Sequence, residues 1–441
     1  MISTDRRPPS GHTRPSALAR LRWSGRCSAS NEPMIAPPDR TALPAPRLGD
    51  RALFPHLQAR AFLAHAAISP VSLAVEMEVG ELLRDYARLG VRAFPVWAER
   101  RGTLRRDLGR LLGVEPETIA LTPGTTRGIS DIALSIPWRR GDRVACMRGE
   151  FPANVTPWQR AARRFDLELV WLDADLFRVA PDAAAEALER ALERGLRLLA
   201  VSAVQFQTGF RMPLEAIGAR CRAHGTLLAV DAVQACGVLP TDVRAWQADF
   251  VACGAHKWLM GLEGAGLLYV SPERAGELEP ATAGWLSHEH GADFLSRGPG
   301  LLRYDRPLKR SAEVFEGATP PAVGLAALGA SVRLLLELGT AAIAAHVGRY
   351  LDQLEPALTA RGFISLRAAA PAARSGILSV APPAGVDLQA LQRELGARGV
   401  VVSAPDGLLR FAPHWPSSLA ELPAVTAALD AALPLATRPS R

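Results

Sequence analysis

From about residue 55 onward the chain repeats one pattern, in which short and almost wholly apolar runs alternate with amphipathic helical stretches. Residues 118–122, 142–147, 167–172, 196–202, 227–230, 250–253 and 266–270 read as strands; 125–136, the stretch around 158–164 and 213–224 read as helices. A strand that is apolar along its whole length has no face to give to water, so helices must cover both sides of its sheet. An α/β fold around a mostly parallel sheet is expected, and such a sheet binds ligands at the carboxyl ends of its strands. After Pro320 the texture changes to an Ala- and Leu-rich helix over 322–338, a second over 341–361, and shorter strand and helix signals. Three regions are expected: a disordered basic segment over 1–50, a large α/β domain over 51–310 and a smaller α+β domain over 311–441.

The net charge of +7 does not point to nucleic acid. Residues 1–51 hold nine Arg against four acidic side chains, so the remainder is close to neutral, with no basic stripe interleaved with aromatics. That first segment is rich in Pro, Arg, Ser and Ala and lacks apolar periodicity, so a chain beginning near Leu48 is expected to fold normally. Arg6 and Arg7 are followed by Pro8, Pro9 and Ser10, where an export signal needs an apolar run, and Met34 offers an alternative initiator. No uninterrupted apolar run of membrane-spanning length is read, so a soluble protein is expected. The five cysteines (Cys27, Cys146, Cys221, Cys236 and Cys253) show no CxxC pair and no metal spacing, which suits core residues in a reducing cytoplasm.

One bias bears directly on chemistry. Of 51 basic side chains only two are lysine, Lys257 and Lys309. A salt bridge or a solvated surface tolerates Arg, whereas Schiff-base chemistry needs a primary amine that can lose its proton. Lys257 comes just after the strand over 250–253, beside His256. Asp231 closes the strand before it, where a carboxylate is either a helix cap or a ligand group. Thr122-Pro123-Gly124-Thr125-Thr126 places a glycine turn and two hydroxyls at a helix start, a simple N-cap or a phosphate site. Taken singly, each has a bland reading. Together, each at a strand end, they favour a site for pyridoxal 5'-phosphate (PLP), with Asp231 keeping the pyridine nitrogen protonated.

The segments Leu63-Ala64-His65-Ala66-Ala67, Gly149-Glu150-Phe151-Pro152-Ala153-Asn154-Val155, Val230-Asp231-Ala232-Val233-Gln234, Ala255-His256-Lys257-Trp258, Phe315-Glu316-Gly317-Ala318-Thr319-Pro320 and Leu409-Arg410-Phe411-Ala412-Pro413-His414 complete the pattern. Over about residues 60–435 the chain resembles the class V aminotransferase family of fold-type I PLP enzymes, with its mostly parallel seven-stranded sheet. The resemblance implies that Thr125 and Thr126 hold the cofactor phosphate and Phe151 stacks on the ring. It pairs Asp231 with the ring nitrogen and Gln234 with the phenolic oxygen, and puts Asn154 and His256 among the cofactor contacts. Lys257 is implied as both Schiff-base residue and proton carrier, and Arg410 as the grip on the substrate carboxylate. Thr319 is implied to reach the phosphate of a neighbouring subunit, in a homodimer with shared sites. Gln205 and His65 stand near the substrate where relatives place Asn, and Gly254 replaces a frequent phosphate-binding Ser or Thr.

Relatives of this kind differ in the step taken after proton removal. Persulfide-forming desulfurases need a cysteine in the stretch before the carboxylate-binding arginine, and this chain has none after Cys253. Kynureninases resemble it in Gly284-Trp285-Leu286-Ser287-His288 but usually carry Tyr at the position of His256 and Asp at that of Asn154. The stretch from Phe151 to Trp158 is most similar to isopenicillin N epimerase-like proteins. The expectation is an amino-acid aminotransferase or epimerase, with a C–S lyase or kynureninase-like hydrolase as the alternative. A catalytically silent scaffold or sensor would have no need of Lys257, Asp231 and Arg410 together.

Overall fold

The computed structural model describes residues 43–437. A two-residue strand, β1 (Ala61–Phe62), precedes the helices Leu73–Leu89 and Phe94–Leu112. Then come β2 (Ile119–Thr122), β3 (Arg143–Arg148), β4 (Glu168–Asp173), β5 (Leu196–Ser202), β6 (Leu227–Asp231), β7 (Phe250–Gly254) and β8 (Gly266–Val270), with helices between most of them. These seven strands form one sheet in the order β2-β8-β7-β6-β5-β3-β4. All pairings are parallel except those of β8, which is antiparallel to both neighbours. Only residues 255–265 separate β7 from β8. A parallel return needs a dozen or more residues, so the short link turns β8 back.

Both faces of the sheet are covered. Along β6, Leu228 and Val230 join one hydrophobic cluster while Leu227 and Ala229 join another. This alternation is what a strand apolar up to its closing Asp231 requires. The C-terminal part adds β9 (Ile364–Ser365), β10 (Leu378–Ala381), β11 (Val400–Val401) and β12 (Leu409–Phe411). β12, β10 and β9 form an antiparallel sheet, while β11 pairs in parallel with β1. Ala64 bridges Ala412 beyond that pair. The helix Ala322–Leu338 packs on Leu73–Leu89 and Phe94–Leu112. Residues 61–112 are thus tied into the chain beyond residue 310.

Two expectations are corrected. Residues 43–50, assigned above to a disordered segment, pack on the body. Leu43 and Leu48 lie against the main core, and the Gly49 N–H donates to the Trp415 carbonyl at 2.7 Å. Their apolar partners are hundreds of residues away, so local composition does not show them. The rest of that expectation, and Cys27, lie outside the described residues. A chain starting at Arg51 should therefore be less stable than one starting at Leu43 by about 2–4 kcal/mol, from two partly buried leucines and a hydrogen bond. Paired thermal melts check this. An apolar stretch long enough to cross a membrane also occurs, at Leu419–Ala436. Val425, Leu429 and Ala432 are buried within it, 28% of the stretch is buried in all, and one face of the helix Leu422–Ala436 packs on Leu388–Ala397.

Candidate active site

Three strands end at one place. β6 closes on Asp231, β7 closes on Gly254 just before Lys257, and β2 runs through Gly124 into the helix Thr125–Ser135. Gly124 adopts φ 152°, a conformation that side chains disfavour, and this turns the chain so that the helix N-terminus faces the strand ends. The cleft there has a volume of about 640 Å³, and Arg410 on β12 also lines it. Lys257, Asp231, Thr125, Thr126, Phe151, Gln234, His256 and Arg410 all line it, as the sequence reading expects.

Their electrostatics suit their placement. Asp231 is buried, and desolvation pushes its carboxyl up to about 6 against two opposing effects, the Val233 N–H hydrogen bond at 2.9 Å and the Lys257 charge. That bond uses one carboxylate oxygen and leaves the other for a ligand. Burial also lowers Lys257 below the ordinary lysine value, with Asp231 opposing and Arg410 adding to the fall. The Lys257 Nζ lies 5.4 Å from the Phe151 ring centroid. The other lysine, Lys309, is engaged with Glu313 at 3.3 Å and lies outside the cleft.

Arg410 is 4% exposed, and burial alone brings it down to about 10. Its Nε donates to Ser403 Oγ at 2.9 Å and its Nη1 to the Phe206 carbonyl at 2.7 Å, but no carboxylate among the described residues pairs with it. A buried guanidinium without a counter-ion is a ready site for an incoming carboxylate. Thr125 Oγ1 is likewise buried without a partner among the described residues, at a helix N-terminus whose free N–H groups favour an anion. Gln234 accepts from Trp258 Nε1 at 2.7 Å and donates one N–H to the Ala66 carbonyl at 3.1 Å, which leaves a second N–H. The residues present fit PLP: a dianion site at Thr125, an Asp231 oxygen for the ring nitrogen, an N–H donor at Gln234 and an amine at Lys257.

Four expected residues are not on the cleft. Gln205 is buried and donates to Glu150 Oε1 at 3.0 Å. Asn154 is buried and accepts from Trp158 Nε1 at 3.2 Å. His65 is 1% exposed, with Nδ1 2.8 Å from Ser69 Oγ. Thr319 is exposed and does not reach the cleft of its own chain. Gly254 also has a spatial reason. A Cβ there would lie 3.2 Å from the His256 ring and 3.3 Å from Thr125 Oγ1.

Other contributors were not singled out from sequence. Phe206 meets Phe151 edge-on at 5.3 Å and supplies the carbonyl that holds Arg410, while Ser403 holds its Nε. Glu150, next to Phe151 in the chain, is pushed up to about 7 by burial, with nearby Asp231 raising it further and hydrogen bonds from Ser202 and Gln205 opposing. A Glu beside a turn reads as surface, and a carbonyl contact carries no residue type, so neither signal was available.

The aminotransferase class-V family model matches residues 62–409. An uncharacterized aminotransferase of Bacillus subtilis is 25% identical over 84% of this chain and 94% of its own length. The isopenicillin N epimerase of Streptomyces clavuligerus is 27% identical over 84% of this chain and 89% of its own. A solved complex of the cystine C–S lyase C-DES with cysteine persulfide superposes with a TM-score of 0.77 at 24% identity, over 85% of this chain and 98% of that one. Another structure of C-DES carries glycine covalently linked to its PLP cofactor. A match that spans most of the described chain and takes in the lysine, the aspartate and the phosphate turn makes this protein a member of the aminotransferase class-V family of PLP-dependent enzymes.

Proposed function

We propose that the protein acts on an amino acid as an aminotransferase or epimerase, with PLP held as a Schiff base on Lys257. The observation that carries this is Arg410, a buried cation that pairs with no carboxylate among the described residues, in the cleft that also holds Lys257 and Asp231. PLP, when bound, supplies an electron sink that acidifies the α-proton of an amino acid. Arg410 binds the α-carboxylate and so fixes the α-carbon relative to Lys257. Asp231 holds a proton at the ring nitrogen. Once the substrate's amine replaces it on the cofactor, the freed Lys257 Nζ would take the α-proton and return it, to the same carbon or a neighbouring one. Phe151 and Phe206, in edge-on contact at 5.3 Å, line the cleft beside Lys257.

Pro405 lines the cleft in the stretch before Arg410, where persulfide chemistry would require a thiol. The four described cysteines are free and buried and none lines the cleft, which suits a reducing cytoplasm. Purified protein should be screened with amino acids, with and without a 2-oxo acid, while the cofactor spectrum is followed. Amine transfer only with the 2-oxo acid supports transamination, and α-proton exchange with loss of stereochemistry supports epimerisation. Release of sulfide, or of a 2-oxo acid without an acceptor, would favour the lyase alternative instead.

The same reading includes a homodimer. Thr319 is exposed, and Val91, Phe94 and Val96 expose apolar surface around the start of Phe94–Leu112. Thr319→Val is expected to weaken PLP retention by about tenfold or more, the effect of losing one charge-assisted hydrogen bond. A heterodimer of Thr319→Val and Lys257→Ala subunits contains one native pocket if Thr319 serves the opposite site, so mixing should restore activity. A fully active monomer by light scattering, or no recovery despite proven subunit exchange, contradicts the shared site.

A further inference from the structure

We propose that the buried pair His65 and Ser69 is a positioning clamp that fixes the backbone under Lys257 and so aims its amine. The inference rests on the PLP reading above and concerns residues outside the cleft. Three consecutive carbonyls are held. The Ser69 N–H donates to the His256 carbonyl at 2.9 Å, and Ser69 Oγ donates to the Lys257 carbonyl at 2.6 Å. The Trp258 carbonyl lies 2.9 Å from His414 Nε2.

Hydrogen counting fixes the roles. Ser69 has one hydroxyl hydrogen, and it goes to Lys257. The 2.8 Å contact with His65 must therefore run from His65 Nδ1–H to Ser69 Oγ. His414 Nδ1 accepts from the Trp415 N–H at 2.7 Å, so its Nε2 carries the proton that the Trp258 carbonyl receives. Both imidazoles are neutral. Burial holds His65 well below its ordinary value, with His414 and Arg51 adding to the fall, and burial brings His414 down to about 4. In these tautomers each is a directed donor rather than a charge.

The same segment reaches a second site residue. The Ala66 carbonyl, next to His65, accepts from Gln234 Nε2, and Trp258 Nε1 holds the Gln234 oxygen. His65 is itself locked, since its backbone N–H donates to the Ala412 carbonyl at 3.1 Å and its ring meets His414 edge-on at 5.2 Å. Segments 63–69 and 412–417 thus grip the lysine turn from outside. An asparagine at position 65 could donate an N–H in the same way, whereas a ring without nitrogen could fill the space but not donate.

The test compares His65→Phe, His65→Asn and Ser69→Ala in the PLP-loaded enzyme. The readouts are the visible circular dichroism of the bound cofactor, kcat, KM and unfolding midpoint. The clamp predicts stoichiometric PLP in all three. His65→Phe and Ser69→Ala should change the dichroism per bound cofactor and lose about ten- to a hundredfold in kcat, at a KM within about twofold. His65→Asn should stay near wild type. His65→Phe combined with Ser69→Ala should be no worse than either alone, because both break one chain of donors. Unchanged dichroism and kcat in Ser69→Ala, or His65→Asn as damaged as His65→Phe, overturns the clamp while leaving the PLP reading intact. A wild-type protein that forms no Schiff base overturns that reading itself.

Discussion

Lys257→Arg should lose activity by about 10⁴-fold or more, although the chain uses Arg at nearly every other basic position. Guanidinium keeps the charge and much of the reach but cannot condense with an aldehyde or release a proton near neutral pH. Lys257→Ala should fail similarly while retaining some PLP non-covalently, because Thr125, Asp231 and Gln234 are untouched. Stopped-flow turnover and the cofactor spectrum of both variants check this. Activity above about one hundredth of wild type in Lys257→Arg would contradict the role given to the amine. Lys309→Arg is the control, since Lys309 pairs with Glu313 and the pair survives the change.

Asp231→Asn should cost about 10³-fold in turnover, near 4 kcal/mol, with PLP still bound. The amide keeps the shape but cannot hold the ring nitrogen protonated, so the electron sink is weakened. The pH dependence of PLP loading gives a second sign. Loading needs the neutral amine, and burial with Arg410 already lowers Lys257 below the ordinary lysine value while Asp231 opposes that fall. Loading of wild-type apoenzyme should therefore rise with pH and level off below the usual lysine range. In Asp231→Asn the opposing charge is gone, so the rise should move to lower pH. A shift to higher pH, or near-normal turnover, would contradict the assignment.

Much of this was legible in the sequence, for a physical reason. Strands buried on both faces must be almost wholly apolar, so the runs at 196–202 and 266–270 coincide with β5 and β8, and polar residues that end such strands stand out. Asp231 and Lys257 were visible in this way, and the scarcity of lysine sharpened the second. Direction was not visible, because an apolar strand such as β8 looks the same whichever way it runs. Sequence also misleads wherever a side chain's partner is set by the fold. Gln205 turns to Glu150, and Asn154 to Trp158. His65 points to Ser69, which is close in sequence, yet its purpose appears only when Ser69 meets Lys257, 188 positions away. Phe206 holds Arg410 through a carbonyl that any residue could supply.

Everything proposed above depends on Lys257 carrying PLP in the cleft lined by Asp231, Thr125 and Arg410. The most direct test is borohydride reduction of the purified, PLP-loaded protein followed by peptide mapping. Stoichiometric pyridoxyl label is expected on the peptide containing Lys257, with loss of the Schiff-base absorbance and no label elsewhere. Label on Lys309, or PLP that washes away without forming a reducible bond, would contradict it.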